Sequence, residues 1–395
     1  MKNPLLKNPM YIYLMLLIIA STAGLHVWRT LFDNFAVNVI HLDGGHVGVL
    51  QSVREIPGFL SLLVVYLLLI IKEHRLSALS LIIMGVGVAA TGLFPTFYGL
   101  MFTTLLMSFG FHYFETTNQS LTLQYFDTQT APIVFGKLRS IAALSNIVAG
   151  MLVFLAAPYF SYTGLYLMVG GGMLAVGFYA LTRNPTDKFL PPQRKDMIFK
   201  KRYWLFYLLT FMAGARRQIF IAFAVFLLVK KFEFSIREIV ILFMVNNIIN
   251  YFLSPFIGRC IVKYGERKVL SLEYFSLIFI FVAYAVVDSK LVVALLYIID
   301  HIFFNFAIAI RTFFQKIASP EDIAPSMAVG FTINHIAAVV LPVIGGLLWV
   351  VDYRIPFLAG ALMSLVSLLL VQQINGQLAL NRPDIFPNGN DLPNK

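Results

Sequence analysis

Residues 219–229 read IFIAFAVFLLV and residues 62–71 read LLVVYLLLII, two runs without a charged side chain. Similar blocks recur along the 395-residue chain, which is 59% hydrophobic and 12% charged. A soluble domain carries roughly 25% charged residues, and a membrane-spanning helix needs about 20 mostly apolar ones. The strands of a membrane β-barrel are only about 10 residues long and alternate in polarity, which excludes that class. The composition therefore predicts an all-α membrane protein.

Twelve transmembrane helices are predicted, because turn-forming residues separate the apolar blocks. The predicted spans are 11–40, 47–71, 76–93, 96–126, 138–158, 162–182, 203–230, 236–262, 268–288, 290–317, 323–350 and 354–373. A long basic linker, 183–202, divides an N-terminal six-helix bundle (1–182) from a C-terminal six-helix bundle (203–375), and a polar tail (376–395) follows. The first block is long and lacks a clear cleavage site, so it is predicted to be a retained span rather than a signal peptide.

The basic residues are distributed unevenly over the two sides of these spans. If the N-terminus is cytoplasmic, the linker and most other Lys and Arg residues are cytoplasmic as well. The external segments then hold Lys230, Lys231, Arg237, Lys290 and Arg354. An excess of cytoplasmic Lys and Arg is typical of membrane proteins and orients both termini to the cytoplasm. This excess also accounts for the net charge of +11, so nucleic-acid binding is not needed to explain it. The protein is expected in the cell membrane.

The two halves show a weak internal repeat. Phe35-Ala36-Val37 in span 1 matches Phe223-Ala224-Val225 in span 7, and Ala131-Pro132 matches Ala324-Pro325. The matches keep a common order at an offset of about 190 residues. Two related halves are typical of secondary transporters, in which the solute site lies near the membrane midplane between the repeats.

The loop between spans 8 and 9, Gly258 to Lys268, reads GRCIVKYGERK and resembles the loop motif of the major facilitator superfamily. Pro342 to Gly346 in span 11 resembles a Pro-x-x-Gly-Gly packing element of that family. Val262 stands where an acid is usual and Glu266 where a base is usual, so no subfamily is assigned. The resemblance covers about residues 8–375 and implies two pseudo-symmetric bundles that rock to give alternating access. The predicted gating loop comprises Gly258, Lys263, Gly265 and Arg267.

Ionisable residues inside the spans are the candidates for function. A charge at the bilayer centre costs at least about 2.5–3.5 kcal/mol, so each should face a partner or an aqueous cavity. His26, Arg29 and Asp33 lie three and four residues apart and share one helix face, as do His112, Glu115 and Gln119. Polar residues concentrate in spans 1, 2, 4, 7, 8, 10 and 11, whereas spans 3, 6, 9 and 12 contain almost none. In the resembled family, spans 1, 4, 7 and 10 line the central cavity.

The predicted spans contain five arginines and four acids, so positive charges outnumber negative ones. The planar guanidinium group of arginine binds carboxylate or phosphate through two parallel hydrogen bonds. We therefore predict a small organic anion as the solute, with Arg216 better aligned toward the cavity than Arg217. The predicted solute-binding residues are Arg29, Arg216, Asn246, Asn250, Asn305 and Arg311. The predicted proton-coupling or charge-pair residues are Asp33, Glu55, His112, Glu115, Asp300 and His301, because buried carboxylates and imidazoles titrate near neutral pH. A purely structural role as charge pairs remains open for Arg29 with Asp33 and for Arg54 with Glu55. For Arg311 the alternative is that its long side chain extends to the cytoplasmic membrane interface.

The sequence favours a monomeric secondary active transporter that binds a small-molecule substrate among membrane lipids, with a proton as one candidate for the coupling ion. A lipid or amphiphile flippase or exporter of the same fold remains an alternative, and so does a non-transporting sensor. We find no clustered catalytic motif, so an enzyme is not expected. No cofactor is expected either, and no metal-ligand spacing connects His41, His46 and His74.

Overall fold

The computed structural model describes residues 4–42, 44–186, 190–194 and 196–380, and this part of the chain contains helices and no strand. Twelve helical rods correspond one to one with the predicted spans, in the two-bundle arrangement expected for this fold class. Nine uninterrupted spans are spans 1, 3, 4, 5, 6, 8, 9, 11 and 12, which are Pro9–Asn38, Glu73–Thr91, Phe97–Tyr125, Ala131–Ala156, Tyr162–Leu181, Ile236–Tyr264, Glu266–Val286, Ile323–Val351 and Arg354–Val371. A short helix, Ile374–Leu380, ends the described chain.

The remaining three spans change their helical geometry on the way across. Span 2 is Gly44–Phe59, a 3-10 turn at Leu60–Leu63 and Val64–Leu67; span 7 is Trp204–Gln218, a π-helix at Ile219–Ala224 and Val225–Lys230; span 10 is Lys290–Phe304, a 3-10 turn at Asn305–Ala307 and Ile308–Ile317. In span 2, Pro57 lies inside the helix, where it removes a backbone donor. Such interruptions are frequently found at functional sites.

Nine helices in the described residues are long and apolar enough to cross a membrane by length and composition alone. Span 4 falls outside this group, because its second half carries polar residues such as His112, Glu115 and Gln119. Side-chain caps fix where several spans begin: Asn8, Thr96, Ser161 and Ser235 each accept a hydrogen bond from a backbone N–H of the first turn.

Span 5 begins earlier than the predicted residue 138. The helix starts at Ala131, with Pro132 in its first turn, where a proline costs no hydrogen bond. The sequence prediction, with span 5 starting at 138, counted Lys137 and Arg139 with the cytoplasmic residues at the end of this span. Both lie within the helix, so the side chain of Arg139 reaches the interior of the protein.

The prediction that span 9 is almost free of polar residues also needs correction. Glu273 lies in this span and is 3% exposed. Its partner is Arg216 of span 7, whose Nη2 lies 4.0 Å from Oε1 of the glutamate. A pair of oppositely charged residues therefore lies between spans 7 and 9, inside the C-terminal half.

Equivalent contacts at corresponding positions of the two halves support the internal repeat. In the N-terminal half, Gln124 at the end of span 4 donates to Glu73 at the start of span 3 over 2.6 Å. In the C-terminal half, Lys316 at the end of span 10 lies 2.8 Å from Glu266 at the start of span 9. Each pair ties together the same two helix ends, and the pairs are separated by about 190 residues.

The two halves are in close contact at the end of the molecule that carries the basic linker, which we call the linker end; the opposite end is the far end. A Cβ at Gly136 of span 5 would lie 2.4 Å from the backbone oxygen of Ser254 in span 8. A Cβ at Gly258 would lie 2.4 Å from the oxygen of Pro132. Backbone thus packs on backbone between spans 5 and 8, and these two spans are closed against each other at the linker end.

The linker is fastened to the connection between spans 10 and 11. The carboxylate of Asp322, which is fully buried, accepts from Lys200 over 2.5 Å and from the hydroxyl of Tyr203 over 2.7 Å. Arg194 lies 3.0 Å from its second oxygen. Burial raises the pKa of Asp322, but the hydrogen bonds from Lys200 and Tyr203 and the positive charges of Lys200 and Arg194 hold this pKa below its usual range. The C-terminal half therefore holds the linker residues that precede it.

We expect Asp322→Asn to destabilise the protein by about 2–3 kcal/mol. Removing one partner of a fully buried ion pair costs about 3–5 kcal/mol, and here Arg194 and Lys200 keep some contact with water. Because the folded-state pKa is depressed, the stabilisation is complete above the usual pKa of an aspartate and is lost as the pH falls through the lower value. Thermal unfolding of the purified protein in detergent, from neutral pH to pH 3, measures both effects. Glu321→Gln is the matched control, and equal stabilities for the two variants would contradict the assignment.

We also expect Gly258→Val to separate spans 5 and 8 at the linker end, because its side chain has no room beside Pro132. A disulfide between Ser140→Cys and Tyr251→Cys, in a Cys260→Ser background, reports this distance, since the Ser140 hydroxyl donates to the Tyr251 carbonyl over 2.5 Å. Cross-linking should fall in the Gly258→Val variant. Gly171→Val, where no atom lies within 4 Å of an added Cβ, should leave it unchanged. Unaltered cross-linking in both variants would show that this contact does not hold the linker end closed.

Candidate functional site

A polar cavity of about 220 Å³ lies between the two halves. Spans 1, 4 and 5 form its N-terminal wall and spans 8 and 10 its C-terminal wall. Its polar lining residues are Thr22, Glu115, Asn118, Gln119, Arg139, Asn146, Asn247, Asn250 and Arg311. The close contact at Gly136 and Gly258 lies on the linker-end side of the cavity.

Three charged side chains determine the electrostatics of this cavity. Arg139 from span 5 and Arg311 from span 10 approach from opposite halves, and each is within electrostatic range of Glu115 in span 4. The Nε of Arg139 is buried and has no hydrogen-bond partner among the described residues. Gln119 donates to Glu115 over 3.3 Å, which fixes the carboxylate on the N-terminal wall. The three groups together carry a net positive charge.

An amide–imidazole network forms part of the C-terminal wall. Asn305, at the 3-10 interruption of span 10, donates to the side-chain oxygen of Asn250 over 2.6 Å and to the carbonyl of His301 over 2.8 Å. The amide nitrogen of Asn250 lies 2.8 Å from Nε2 of His301. Because the oxygen of Asn250 accepts from Asn305, its nitrogen donates to His301, whose Nε2 must be the acceptor. Asn305 and His301, at and near the break in span 10, therefore fix the orientation of the cavity-lining amide of Asn250.

A polar contact between the halves closes the cavity along spans 5 and 8. The side-chain nitrogen of Asn146 lies 3.3 Å from the oxygen of Asn247. Closer to the linker end, Gln315 of span 10 donates to the carbonyls of Leu123 and Phe126, both over 2.6 Å. These hydrogen bonds join side chains of one half to the other half.

Arg216 lies in a separate buried cluster, inside the C-terminal half. Its guanidinium donates to the hydroxyl of Ser367 in span 12 and lies 4.3 Å from the ring centroid of Tyr274. A cavity of about 10 Å³ joins Arg216 to Glu273 and Asp300, both nearly fully buried. One arginine therefore faces two acids at a distance from the larger cavity.

A third polar cluster joins the halves through spans 2, 4 and 11. Glu55, His112 and His335 each offer one nitrogen or oxygen atom, and these atoms lie within 4.8 Å of one another. Arg54 donates to Oε1 of Glu55 over 2.9 Å, so the predicted option of a charge pair applies here. Arg217 interacts electrostatically with Glu55 and Glu115, so Arg217 rather than its neighbour faces the N-terminal half.

The structure places the predicted solute-binding residues in several environments. Asn250 and Arg311 line the cavity, and Asn305 supports Asn250 from behind. Arg29 is exposed toward the far end, Asn246 is buried within span 8, and Arg216 belongs to the cluster described above. Arg311 points inward, and its guanidinium carbon lies 5.8 Å from the ring centroid of Phe135.

The predicted proton-coupling residues are also spread over separate sites. Glu115 lines the cavity, His301 supports it, Glu55 and His112 join the halves, and Asp300 lies beside Arg216. The side chain of Asp33 lies outside the described part of the structure.

The predicted gating loop occupies the turn between spans 8 and 9. Gly265 has φ 81°, a conformation that favours glycine, and it allows the sharp turn into span 9. Gly258 packs on span 5, Lys263 lies over the ring of Tyr264 at 5.1 Å, and Arg267 is half-buried. The side chain of Pro342 in the span 11 element lies outside the described residues.

Three residues of these sites escaped the sequence predictions. Arg139 was counted with the cytoplasmic residues at the end of span 5, although Pro132 in a first helical turn was a signal that the helix begins well before it. Glu273 was passed over because span 9 is otherwise apolar; a lone intramembrane acid is itself the signal. Asn146 also lacked any stripe of polar neighbours that would have identified it.

Comparisons with known proteins agree with this architecture. The family model described as Major Facilitator Superfamily matches residues 10–334. A search of the curated proteins gave no significant match. A bacterial homologue of the iron transporter ferroportin, in an outward-facing state, is structurally similar, with a TM-score of 0.75 and 13% identity over 93% of this chain and 99% of that one.

Two further solved structures share the fold. The human organic anion transporter MFSD10 gives a TM-score of 0.72 at 12% identity, over 94% of this chain and 100% of that one. The E. coli fucose:proton symporter FucP gives 0.71 at 12% identity, over 92% and 98% of the respective chains. At this identity the structures establish a common fold, and the family model covers most of the sequence. The chain is a multi-pass membrane protein that belongs to the major facilitator superfamily.

Proposed function

We propose that this protein is a secondary active transporter that moves a small organic anion across the cell membrane by alternating access. The observation that carries the proposal is the approach of Arg139 and Arg311 from opposite halves to one polar cavity. Guanidinium groups bind carboxylate or phosphate through paired hydrogen bonds. A solute held between them would contact both moving parts of the protein.

The charge balance favours an anion. Arg139 and Arg311 outnumber Glu115, the one acid among the described lining residues, and the Nε of Arg139 is buried without a hydrogen-bond partner in the described chain. A buried guanidinium that is not fully paired is costly in a low-dielectric medium. An anionic solute would supply the missing charge and acceptors. The lining amides Asn146, Asn247 and Asn250 offer further hydrogen bonds that would orient it.

The dimensions of the cavity favour a small solute. Pockets for drug-sized ligands occupy about 300–1,000 Å³, whereas this cavity measures about 220 Å³. A phospholipid headgroup with two acyl chains needs much more room. The lining is also rich in charged and amide groups, which suits a compact polar solute. These two properties favour solute transport over the alternative of a lipid flippase.

The close packing of spans 5 and 8 at the linker end favours alternating access. Gly136 and Gly258 permit that packing on one side of the cavity, and the solute would enter from the far end. If the basic linker is cytoplasmic, as the charge distribution predicts, this conformation faces outward. Among the fold neighbours, MFSD10 is an organic anion transporter and FucP a fucose:proton symporter, which are precedents for these solute and ion classes.

Glu115 is the candidate for coupling transport to protons. Its carboxylate neutralises part of the charge of Arg139 and Arg311. When it takes up a proton, both arginines become available to the anion, so proton and anion would bind together. Release of the proton would restore the internal pairing and expel the solute. This arrangement predicts symport of the anion with a proton.

We expect Arg311→Gln and Arg139→Gln each to lower anion uptake by at least about 10-fold, because a hydrogen bond to a charged group contributes about 1.5–3 kcal/mol. Uptake of radiolabelled short mono- and dicarboxylates into proteoliposomes is the measurement. Arg75→Gln, which changes an exposed arginine outside the cavity, should transport normally. The anion hypothesis fails if none of these compounds is transported or bound, or if both cavity variants match Arg75→Gln. A phospholipid-scrambling assay on the same vesicles tests the flippase alternative.

We expect Glu115→Gln to remove the effect of a pH gradient on uptake while anion binding is retained or tightened. The substitution mimics the protonated carboxyl and leaves both arginines unpaired. Uptake with and without a pH gradient, together with equilibrium binding, separates coupling from affinity. Gln119→Glu, which adds an acid one helical turn away, should instead weaken anion binding. A Glu115→Gln protein that still responds fully to the gradient would exclude this residue as the coupling site.

A further inference from the structure

Glu55, His112 and His335 form a constellation that the proposed anion site does not use. They come from spans 2, 4 and 11, and the ligand atoms that they offer lie within 4.8 Å of one another. The two imidazole rings meet edge to face, with centroids 4.8 Å apart and an interplanar angle of 86°. Two imidazoles and one carboxylate are a donor set that suits borderline divalent metals, and Mg²⁺ and Ca²⁺ prefer oxygen ligands.

His335 is held in an orientation that suits metal binding. Its Nδ1 lies 2.9 Å from the carbonyl oxygen of Phe331, one helical turn earlier. A carbonyl only accepts, so Nδ1 carries the proton and Nε2 keeps a lone pair. Metal-bound histidines usually donate their other N–H in this way, which fixes both the tautomer and the ring.

Gly58 of span 2 allows the ring of His335 to cross from one half to the other. A Cβ at this position would lie 2.4 Å from Cδ2 and 2.9 Å from Nε2 of the imidazole. The close approach of ring and backbone brings Nε2 toward the N-terminal half. Any larger residue at this position would displace the ring.

His112 supplies an independent sign that a ligand is missing. The residue is 4% exposed, and its Nδ1 is buried with no hydrogen-bond partner among the described residues. Burying a polar atom without a partner is costly, so such atoms in native proteins usually mark a water, an ion or a functional role. A metal ion bound through Nδ1 of His112 would satisfy this nitrogen.

The third ligand is shared with a charge pair. Arg54 donates to Glu55 from Nε over 3.2 Å and from Nη2 over 2.9 Å, and both hydrogen bonds go to Oε1. Oε2 lies outside this pair. The positive charges of Arg54 and Arg217 weaken the attraction for a cation, so the site should bind with moderate affinity. Moderate affinity is a property of reversible, regulatory sites rather than of permanent structural ones.

We propose that Glu55, His112 and His335 bind a divalent transition-metal ion of the Zn²⁺ or Co²⁺ type. Three protein ligands leave a coordination position for water. Glu55 and His112 belong to the N-terminal half and His335 to the C-terminal half. The bound ion therefore cross-links the halves in the conformation that is closed at the linker end, and it slows the exchange needed for transport. The metal site stands on its own geometry and does not depend on the anion proposal.

Metal binding to the purified full-length protein tests the site directly. After treatment with a chelator, the protein is titrated with Co²⁺ and followed by visible absorption, and Zn²⁺ is then added as a competitor. We expect one ion per chain. His335→Gln and His112→Gln should each weaken binding by at least about 10-fold, because even the outer partners of metal ligands contribute about 10–100-fold. His74→Gln, a buried histidine outside the cluster, is the matched control.

Arg54→Gln keeps the proposal testable if a ligand variant does not fold. The substitution removes the competing cation and should tighten Co²⁺ binding, whereas a purely structural role of the Arg54–Glu55 pair predicts no gain. The proposal is overturned if the wild-type protein binds no Co²⁺ or if His335→Gln binds it as well as His74→Gln does. It is also overturned if Arg54→Gln binds no more tightly. In proteoliposomes, Zn²⁺ should inhibit uptake by the wild type and not by His335→Gln, while failure of the anion proposal leaves the binding results unaffected.

Discussion

The cost of placing a charge in hydrocarbon determines where the polar side chains of this protein lie. A guanidinium at the bilayer centre needs acceptors, acids or water, and the protein satisfies this need in two ways. Arg216 is enclosed by Glu273, Asp300, Tyr274 and the hydroxyl of Ser367, so its charge is balanced within one half. Balanced charges of this kind hold a bundle together and are not available to a solute.

Arg139 and Arg311 are stabilised differently, because their charges are only partly balanced by acids within the protein. They share Glu115, the one acid among the described residues that line the cavity, and they face that cavity rather than a packed helix. Because they come from opposite halves, relative motion of the halves in the proposed cycle would change their separation and therefore their affinity for the proposed anion. A charged site at the junction of two rigid bodies couples binding to motion, which a site within one bundle cannot do.

The number and order of the spans were predictable from the sequence, because apolar block length is a one-dimensional signal and the hydrocarbon core sets its scale. The sequence did not predict which face of each helix is turned toward the interior or toward the other half. Arg216 and Arg217 are adjacent in sequence. An error in the predicted rotation of span 7 about its axis therefore interchanges the arginine that faces the N-terminal half with the one that lies inside the C-terminal half. The π-helix at Ile219–Ala224, directly after them, alters the phase of span 7, and no residue pattern announced it. Arg139 was missed for a related reason, since its position depended on where span 5 begins.

Sites built from several spans lie furthest beyond sequence analysis. Glu55, His112 and His335 are separated by tens to hundreds of residues and carry no spacing motif. They meet because Gly58 admits the ring of His335 and because spans 2 and 11 pack together across the two halves. In the proposed transport cycle, rocking of the halves at the linker end would move span 11, and His335 with it, away from the other two residues. The constellation would then be specific to one state of that cycle, and a ligand that bridges it would stabilise that state in proportion to its binding free energy.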